Sequence, residues 1–65
     1  MSKGVSALKR YRFENNLTQQ EFCEKFNFNR NTLASVESGA NLSVKTAKEL
    51  ANIININWSL FFEEV

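Results

Sequence analysis

The 65-residue chain contains no histidine and no proline, and it has one cysteine and two glycines. With no histidine and a lone Cys23, the chain has neither a disulfide framework nor the ligand set of a zinc site. The absence of proline, together with scarce alternation of β-branched residues, predicts an all-helical chain. Because the chain is short and shows no linker, we predict a single domain over residues 1–65.

Long apolar runs are missing as well. Nothing approaches the roughly 18 apolar residues of a membrane span, and no apolar run near the N-terminus resembles a signal peptide. We therefore expect a cytoplasmic protein that has no membrane partner. The sequence has no Gly-rich phosphate loop and no activated nucleophile, which argues against an enzyme. We also expect no metal, cofactor or small-molecule ligand.

The net charge of +1 is small for a nucleic-acid-binding protein. The distribution of charge is more informative than the sum, because Lys3, Lys9, Arg10 and Arg12 lie at the start of the chain with no acid among them. A DNA-binding face on the N-terminal side is compatible with this distribution, but the charge alone does not decide the question.

Several helix starts are encoded by capping residues. Thr18 and Glu21 form a T-x-x-E capping box, and the apolar pair Leu17 and Phe22 flanks it as a hydrophobic staple. The same arrangement recurs at two sites and, with a smaller partner, at a third: Phe28–Asn29 with Leu33, Ile56–Asn57 with Phe61, and Leu42–Ser43 with Ala47. Each site predicts the start of a helix.

Asparagine precedes three of these starts, at Asn16, Asn27 and Asn55. Asparagine tolerates the left-handed conformation better than any residue except glycine, so it suits the position that ends a helix. We expect Gly39 to end the third helix in the same way. The alternative is that the asparagines have no structural role, but three recurrences with matched apolar partners argue against it.

These signals predict five helices, with bounds 4–15, 19–26, 30–38, 44–54 and 58–63. Apolar residues at helical spacing predict the buried positions: Val5, Leu8, Phe22, Cys23, Phe26, Leu33, Val36, Ala47, Leu50, Ala51 and Ile54. Cys23 is interpreted as a small core residue rather than a nucleophile, since the chain has no histidine to activate it.

The second and third helices have the outline of a helix-turn-helix motif. The segment LTQQEFCEKFNFNRNTLASVESG, residues 17–39, resembles the phage repressor and Cro-type helix-turn-helix family, also called XRE-like. Arg12 falls where that family carries an arginine, and LANIININWSLFF, residues 50–62, resembles its closing segment. The resemblance covers about residues 6–62 and implies a compact all-α, five-helix, lambda-repressor-like domain.

The resemblance further implies that the third helix lies in the major groove of DNA. The residues expected to face bases are Gln19, Asn29, Arg30, Asn31, Ala34 and Ser35. Their chemistry agrees, because arginine pairs with guanine, asparagine with adenine, and an alanine methyl meets the thymine methyl. The residues expected at the DNA backbone are Lys9, Arg10, Gln19, Ser38, Lys45 and Lys48. The alternative for Arg30 and Asn31 is an ordinary solvated helix face.

Arg12 and Glu37 match a buried ion pair that ties the first helix to the end of the third in the family. The alternative is two unrelated surface charges. The chain departs from the family pattern at Asn27, which replaces the turn glycine, and at Cys23, which replaces an alanine. The loop GANLS after the third helix also lacks the usual basic residue and proline, so we expect weaker non-specific affinity for DNA.

One recognition helix touches too few base pairs for useful specificity, so such domains usually act as pairs on palindromic operators. Phe61 and Phe62 match core positions of the family, but Leu60 lies where the family is usually polar, and Trp58 is unusually large. This excess of apolar surface predicts a homodimer through Ile56, Trp58 and Leu60. The alternative is simply a bulky core.

The sequence therefore predicts a sequence-specific regulator of transcription that binds double-stranded DNA, a Cro-like repressor acting as a homodimer on a palindromic operator. The alternative, of another class, is an antitoxin-like interaction module that neutralises a partner protein and regulates its own promoter.

Overall fold

A computed structural model describes residues 2–64, and this part of the chain is all-α, as predicted. Its elements in chain order are α1 (Lys3–Glu14), α2 (Gln19–Phe26), α3 (Arg30–Glu37), α4 (Val44–Ile54) and a 3₁₀ helix (Trp58–Phe62). Ser2 and Glu64 form an isolated antiparallel bridge. Met1 and Val65, which belong to the predicted 1–65 domain, lie outside the described residues.

A side-chain oxygen caps the start of each of these helices. The capping box is present, since the Thr18 hydroxyl accepts from the Glu21 N–H at 3.1 Å and the Glu21 carboxylate accepts from the Thr18 N–H at 2.9 Å. The other predicted caps also form: Asn29, Ser43 and Asn57. The cap of α1 was not predicted; there the Ser2 hydroxyl accepts from the N–H of Val5 at 3.1 Å.

Each α-helix is followed by a residue with a left-handed backbone. The φ angles of Asn16, Asn27, Asn55 and Gly39 are 55°, 54°, 61° and 91°. The N–H of the next residue donates to a carbonyl five positions earlier, in the pairs Leu17 with Arg12, Phe28 with Cys23, Ala40 with Ser35 and Ile56 with Ala51. This is the Schellman motif, which satisfies carbonyls at the end of a helix. The helix ends predicted from the three asparagines and Gly39 are confirmed.

One core joins the helices. Its buried residues are Val5, Leu8, Phe22, Cys23, Leu33, Val36, Ala47, Leu50, Ala51, Ile54 and Phe61. Leu17, Phe28 and Ile56, the residues before the caps, are half-buried against this core. Each of them therefore closes one helix with its N–H and anchors the start of the next helix with its side chain. Phe26, predicted as a core residue, is also only half-buried.

The N-terminal half of α1 approaches the 3₁₀ helix very closely at Gly4. A Cβ atom on Gly4 would lie 2.6 Å from the ring of Phe61 and 2.8 Å from its Cα. The backbone N–H of Lys3 donates to the carbonyl of Glu63 at 2.7 Å. The close packing of the two ends of the described chain thus requires glycine at position 4.

The C-terminal segment differs from the prediction in two respects. The fifth helix, expected over 58–63, is a 3₁₀ helix over Trp58–Phe62. Phe62, which was expected in the core with Phe61, is 51% exposed, whereas Phe61 is 3% exposed. Neighbouring side chains diverge by about 100° in an α-helix and by about 120° in a 3₁₀ helix, so in either geometry only one of the two rings can face the core. Smaller shifts affect α1, which begins at Lys3 and ends at Glu14, and α3, which ends at Glu37.

Candidate nucleic-acid interface

The helices α2 and α3 are joined by a three-residue turn, Asn27 to Asn29. Asn27 takes the left-handed conformation, Phe28 is half-buried against the core, and Asn29 caps α3. One residue thus ends α2, the second anchors the turn to the core and the third starts α3. The turn sets the angle between the two helices without a glycine.

The outer face of α3 consists of Arg30, Asn31, Ala34 and Ser35, which are all exposed. The inner face of the same helix carries Leu33, Val36 and Glu37, which are buried. The outer face offers a guanidinium group, an amide, a methyl group and a hydroxyl within two helical turns. These are the groups with which proteins distinguish base edges in the major groove.

Asn29 has a more restricted chemistry than Asn31. Its Oδ1 accepts from the N–H of Thr32 at 3.0 Å and lies 3.4 Å from the Thr32 hydroxyl. Bidentate pairing with adenine needs both the carbonyl and the amino group of an asparagine. Since the Asn29 carbonyl holds the helix cap, its amino group is the part that remains for DNA.

Below this surface lies the ion pair of Arg12 and Glu37. The Arg12 Nε and Nη2 atoms donate to the two carboxylate oxygens of Glu37, both at 2.7 Å, and the side chains are 10% and 4% exposed. Arg12 Nη1 also donates to the carbonyl of Leu17 at 2.9 Å. The pair therefore joins α1 to the end of α3 and to the turn before α2.

Gln19 contacts this pair from the first position of α2. Its Nε2 donates to Glu37 Oε1 at 3.3 Å, and the side chain is half-buried. Gln19 and Glu37 are eighteen positions apart and sequence patterns give no signal that their side chains meet. This contact is the main feature of the site that the sequence did not predict.

Three ionisable groups near the motif have shifted pKa values. Hydrogen bonding to Glu37 raises the pKa of Arg12, although burial opposes it. The hydrogen bond from the Thr18 N–H, with that of its hydroxyl, lowers the pKa of Glu21, so this carboxylate stays charged at the start of α2. Burial raises the pKa of the Cys23 thiol, which makes it a poor nucleophile at neutral pH.

A sequence model described as helix-turn-helix matches residues 8–61. The chain belongs to the Cro and XRE type of helix-turn-helix family. This family comprises DNA-binding regulators of transcription and is not a known family of enzymes. Searches of curated proteins and of solved structures returned no significant match.

The basic residues expected at the backbone of DNA are distributed around this helix-turn-helix domain. Arg10, Lys45 and Lys48 are exposed, and Lys9 is half-buried. The ammonium group of Lys48 lies 5.2 Å from the ring centroid of Trp58, so Lys48 belongs to the C-terminal surface. Ser38, the remaining candidate, is exposed, and its hydroxyl donates to the carbonyl of Ser35 at 2.8 Å.

A second surface of the domain is aromatic. Trp58 and Phe62 are 37% and 51% exposed, and their rings meet edge to face with 6.0 Å between centroids. We call this pair the aromatic surface. Leu60 and Ile56, the other residues expected in a dimer interface, are half-buried, and Ile56 packs against the core. The sequence missed Phe62 because it placed that residue in the core.

Another exposed ring, Phe13, has no counterpart in the sequence predictions. It is 70% exposed and lies 5.4 Å from the guanidinium carbon of Arg12.

Within residues 2–64, no group of His, Cys, Asp and Glu side chains could hold a metal ion. None of the helices described here is both long enough and apolar enough to cross a membrane.

Proposed function

We propose that the protein is a Cro-like repressor that binds a palindromic operator in double-stranded DNA as a homodimer. The observation that carries the proposal is the outer face of α3, where four exposed side chains of base-reading chemistry project from a helix-turn-helix domain. In this arrangement α3 lies in the major groove and the start of α2 meets the DNA backbone.

The residues of α3 then have different tasks. Arg30 reads guanine through two hydrogen bonds, Asn31 reads adenine, and the methyl group of Ala34 meets a thymine methyl. Ser35 and the amino group of Asn29 add single hydrogen bonds. Gln19 contacts a phosphate or the first base of the half-site. The charged backbone contacts come from Lys9, Arg10 and Lys45, while Ser38 and Lys48 are peripheral.

Selection of bound sites from random duplex DNA at two salt concentrations tests this proposal. We expect a dyad-symmetric motif and an affinity that falls steeply with salt. Arg30→Ala should cost about 1–3 kcal/mol and relax the preference at one position of each half-site. Lys25→Ala is the matched control, because it removes the same charge from an exposed residue outside the proposed contacts. Absence of any enriched motif would overturn the proposal.

The dimer is proposed to form through the aromatic surface and the neighbouring Ile56 and Leu60. An α3 of eight residues reads only a few base pairs, so useful specificity requires two copies. Exposed rings such as Trp58 and Phe62 are also the kind of side chain that dominates protein interfaces. A monomer in sedimentation experiments, both at high protein concentration and on operator DNA, would refute the dimer.

Two observations favour a second function, that of an antitoxin-like module. The net charge is only +1, and the exposed rings Phe13, Trp58 and Phe62 offer apolar contacts to a protein partner. This function predicts a stable complex with the product of an adjacent gene. That complex would form without DNA and survive Arg30→Ala. The repressor function predicts instead that Arg30→Ala weakens operator binding by about 1–3 kcal/mol and that no such complex with another protein forms.

A further inference from the structure

The buried ion pair and the first residue of α2 form one connected network. Glu37 Oε1 accepts two hydrogen bonds, one from Arg12 Nη2 at 2.7 Å and one from Gln19 Nε2 at 3.3 Å. Glu37 Oε2 accepts from Arg12 Nε at 2.7 Å. The Gln19 amide is therefore attached to a carboxylate whose own position is fixed by a bidentate arginine.

The carboxylate at the centre of this network has almost no freedom to move. Glu37 is buried at the end of α3, and Arg12 is held from the other side by its bond to the Leu17 carbonyl. Leu17 immediately precedes Thr18, the cap of α2, so the same guanidinium group also fixes the start of that helix. The position of Gln19 is thus defined through both its side chain and its backbone.

We propose that Glu37 is a positioning residue for Gln19. It holds one N–H of the Gln19 amide, which leaves the second N–H and the carbonyl oxygen for DNA in a single orientation. A side chain that is already ordered loses less conformational entropy on binding. This inference rests on the proposed function, because it requires that Gln19 contacts DNA.

The next residue, Gln20, is a matched control for this proposal. It has the same side chain, lies in the same turn of α2 and is exposed. Gln20→Ala therefore reports the effect of losing a glutamine side chain at the start of this helix when Glu37 does not position it.

The carboxylate must be removed without stranding the charge of Arg12. The double variant Arg12→Met, Glu37→Leu replaces both charges by apolar side chains of similar size, which proteins often tolerate. Thermal unfolding of this variant verifies that it folds.

The first measurement needs no DNA. We expect NMR relaxation to find the side-chain amide of Gln19 more ordered than that of Gln20, and the difference to vanish in the double variant. If the Gln19 amide is as mobile as that of Gln20 in the natural protein, the positioning role is refuted, whether or not the protein binds an operator.

The second measurement is affinity for the selected operator. Gln19→Ala should weaken binding about fivefold in the natural protein, the value of one hydrogen bond, and less than about twofold in the double variant. Gln20→Ala should have the same effect in both. An equal loss from Gln19→Ala in both backgrounds would overturn the proposal. If no operator is bound by any of these proteins while the amide is ordered as expected, the proposed function fails and the positioning geometry stands.

Discussion

The two ends of α1 are held to the rest of the domain in opposite ways. Near its C-terminal end, Arg12 forms a buried ion pair with Glu37, both hydrogen bonds measuring 2.7 Å. Near its N-terminal end, Gly4 lies directly against Phe61, and a nearby salt bridge, Lys3 with Glu63 at 3.5 Å, is half exposed. The first end supports the polar helix-turn-helix surface, and the second supports the aromatic surface.

Because of this difference, different kinds of substitution should destabilise the two ends. A buried ion pair is damaged by removing atoms, because the remaining charge is left without a partner in a poorly solvated position. A close backbone contact is damaged by adding atoms, because nothing around it can move away at low cost. The polar surface therefore depends on the chemical identity of the Arg12 and Glu37 side chains. The aromatic surface depends on the absence of a side chain at Gly4.

Removing one partner of each ion pair should produce the largest contrast. Glu37→Ala strands the buried guanidinium of Arg12, and we expect it to lower the free energy of unfolding by about 3–5 kcal/mol. Glu63→Ala removes a half-exposed partner of Lys3 and should cost less than about 1 kcal/mol. Urea denaturation of both variants makes the comparison. Equal losses would mean that burial does not distinguish the two ends.

Adding a methyl group at Gly4 should destabilise the N-terminal end of α1. Gly4→Ala places a Cβ atom 2.8 Å from the Cα of Phe61, and we expect a loss of about 1–3 kcal/mol despite the better helix propensity of alanine. Ser6→Ala, on the same helix and half-buried, is the control and should be close to neutral. Thermal unfolding measures both variants. If the Gly4→Ala variant is as stable as the natural protein, the packing of α1 against Phe61 does not require glycine at position 4.

The sequence predicted the parts of this fold that depend on neighbours in the chain. Thr18 with Glu21, and the left-handed residues Asn27 and Asn55, act on backbone groups a few positions away, so their patterns can be read directly. The cap of α1 by Ser2 is equally local, but it lies before the first apolar position and was missed.

Contacts between segments that are distant in the sequence could not be predicted from these local patterns. The bond from Gln19 to Glu37 and the approach of Gly4 to Phe61 depend on how the helices pack, which no local signal encodes. The 3₁₀ geometry of residues 58–62 was missed for a related reason. The capping pattern at Asn57 marks the start of a helix but carries no information about its pitch. Which of the two neighbouring rings faces the core also depends on how this segment packs, and Phe62 is the exposed one.

Substituting either left-handed asparagine should lower the stability of the protein by a similar amount, but only one of the two substitutions should affect operator binding. Asn27 ends α2 and Asn55 ends α4, with φ angles of 54° and 61°. Alanine at either position should cost about 1 kcal/mol, and glycine should be neutral or slightly stabilising. Urea denaturation measures the losses. Only Asn27→Ala is expected to weaken operator binding, because it alters the angle between α2 and α3.

A small effect on monomer stability is expected at the aromatic surface. Phe62 is 51% exposed, so Phe62→Ser removes much less buried area than Phe61→Ser and should lower the free energy of unfolding by about 1 kcal/mol at low protein concentration. Phe61→Ser is the control, because it removes a ring that is 3% exposed and should lower stability severely. Sedimentation equilibrium then separates the two roles of the segment. If the proposed dimer forms there, Phe62→Ser weakens self-association while the monomer remains folded. Unaltered association would restrict the interface to the residues around Trp58.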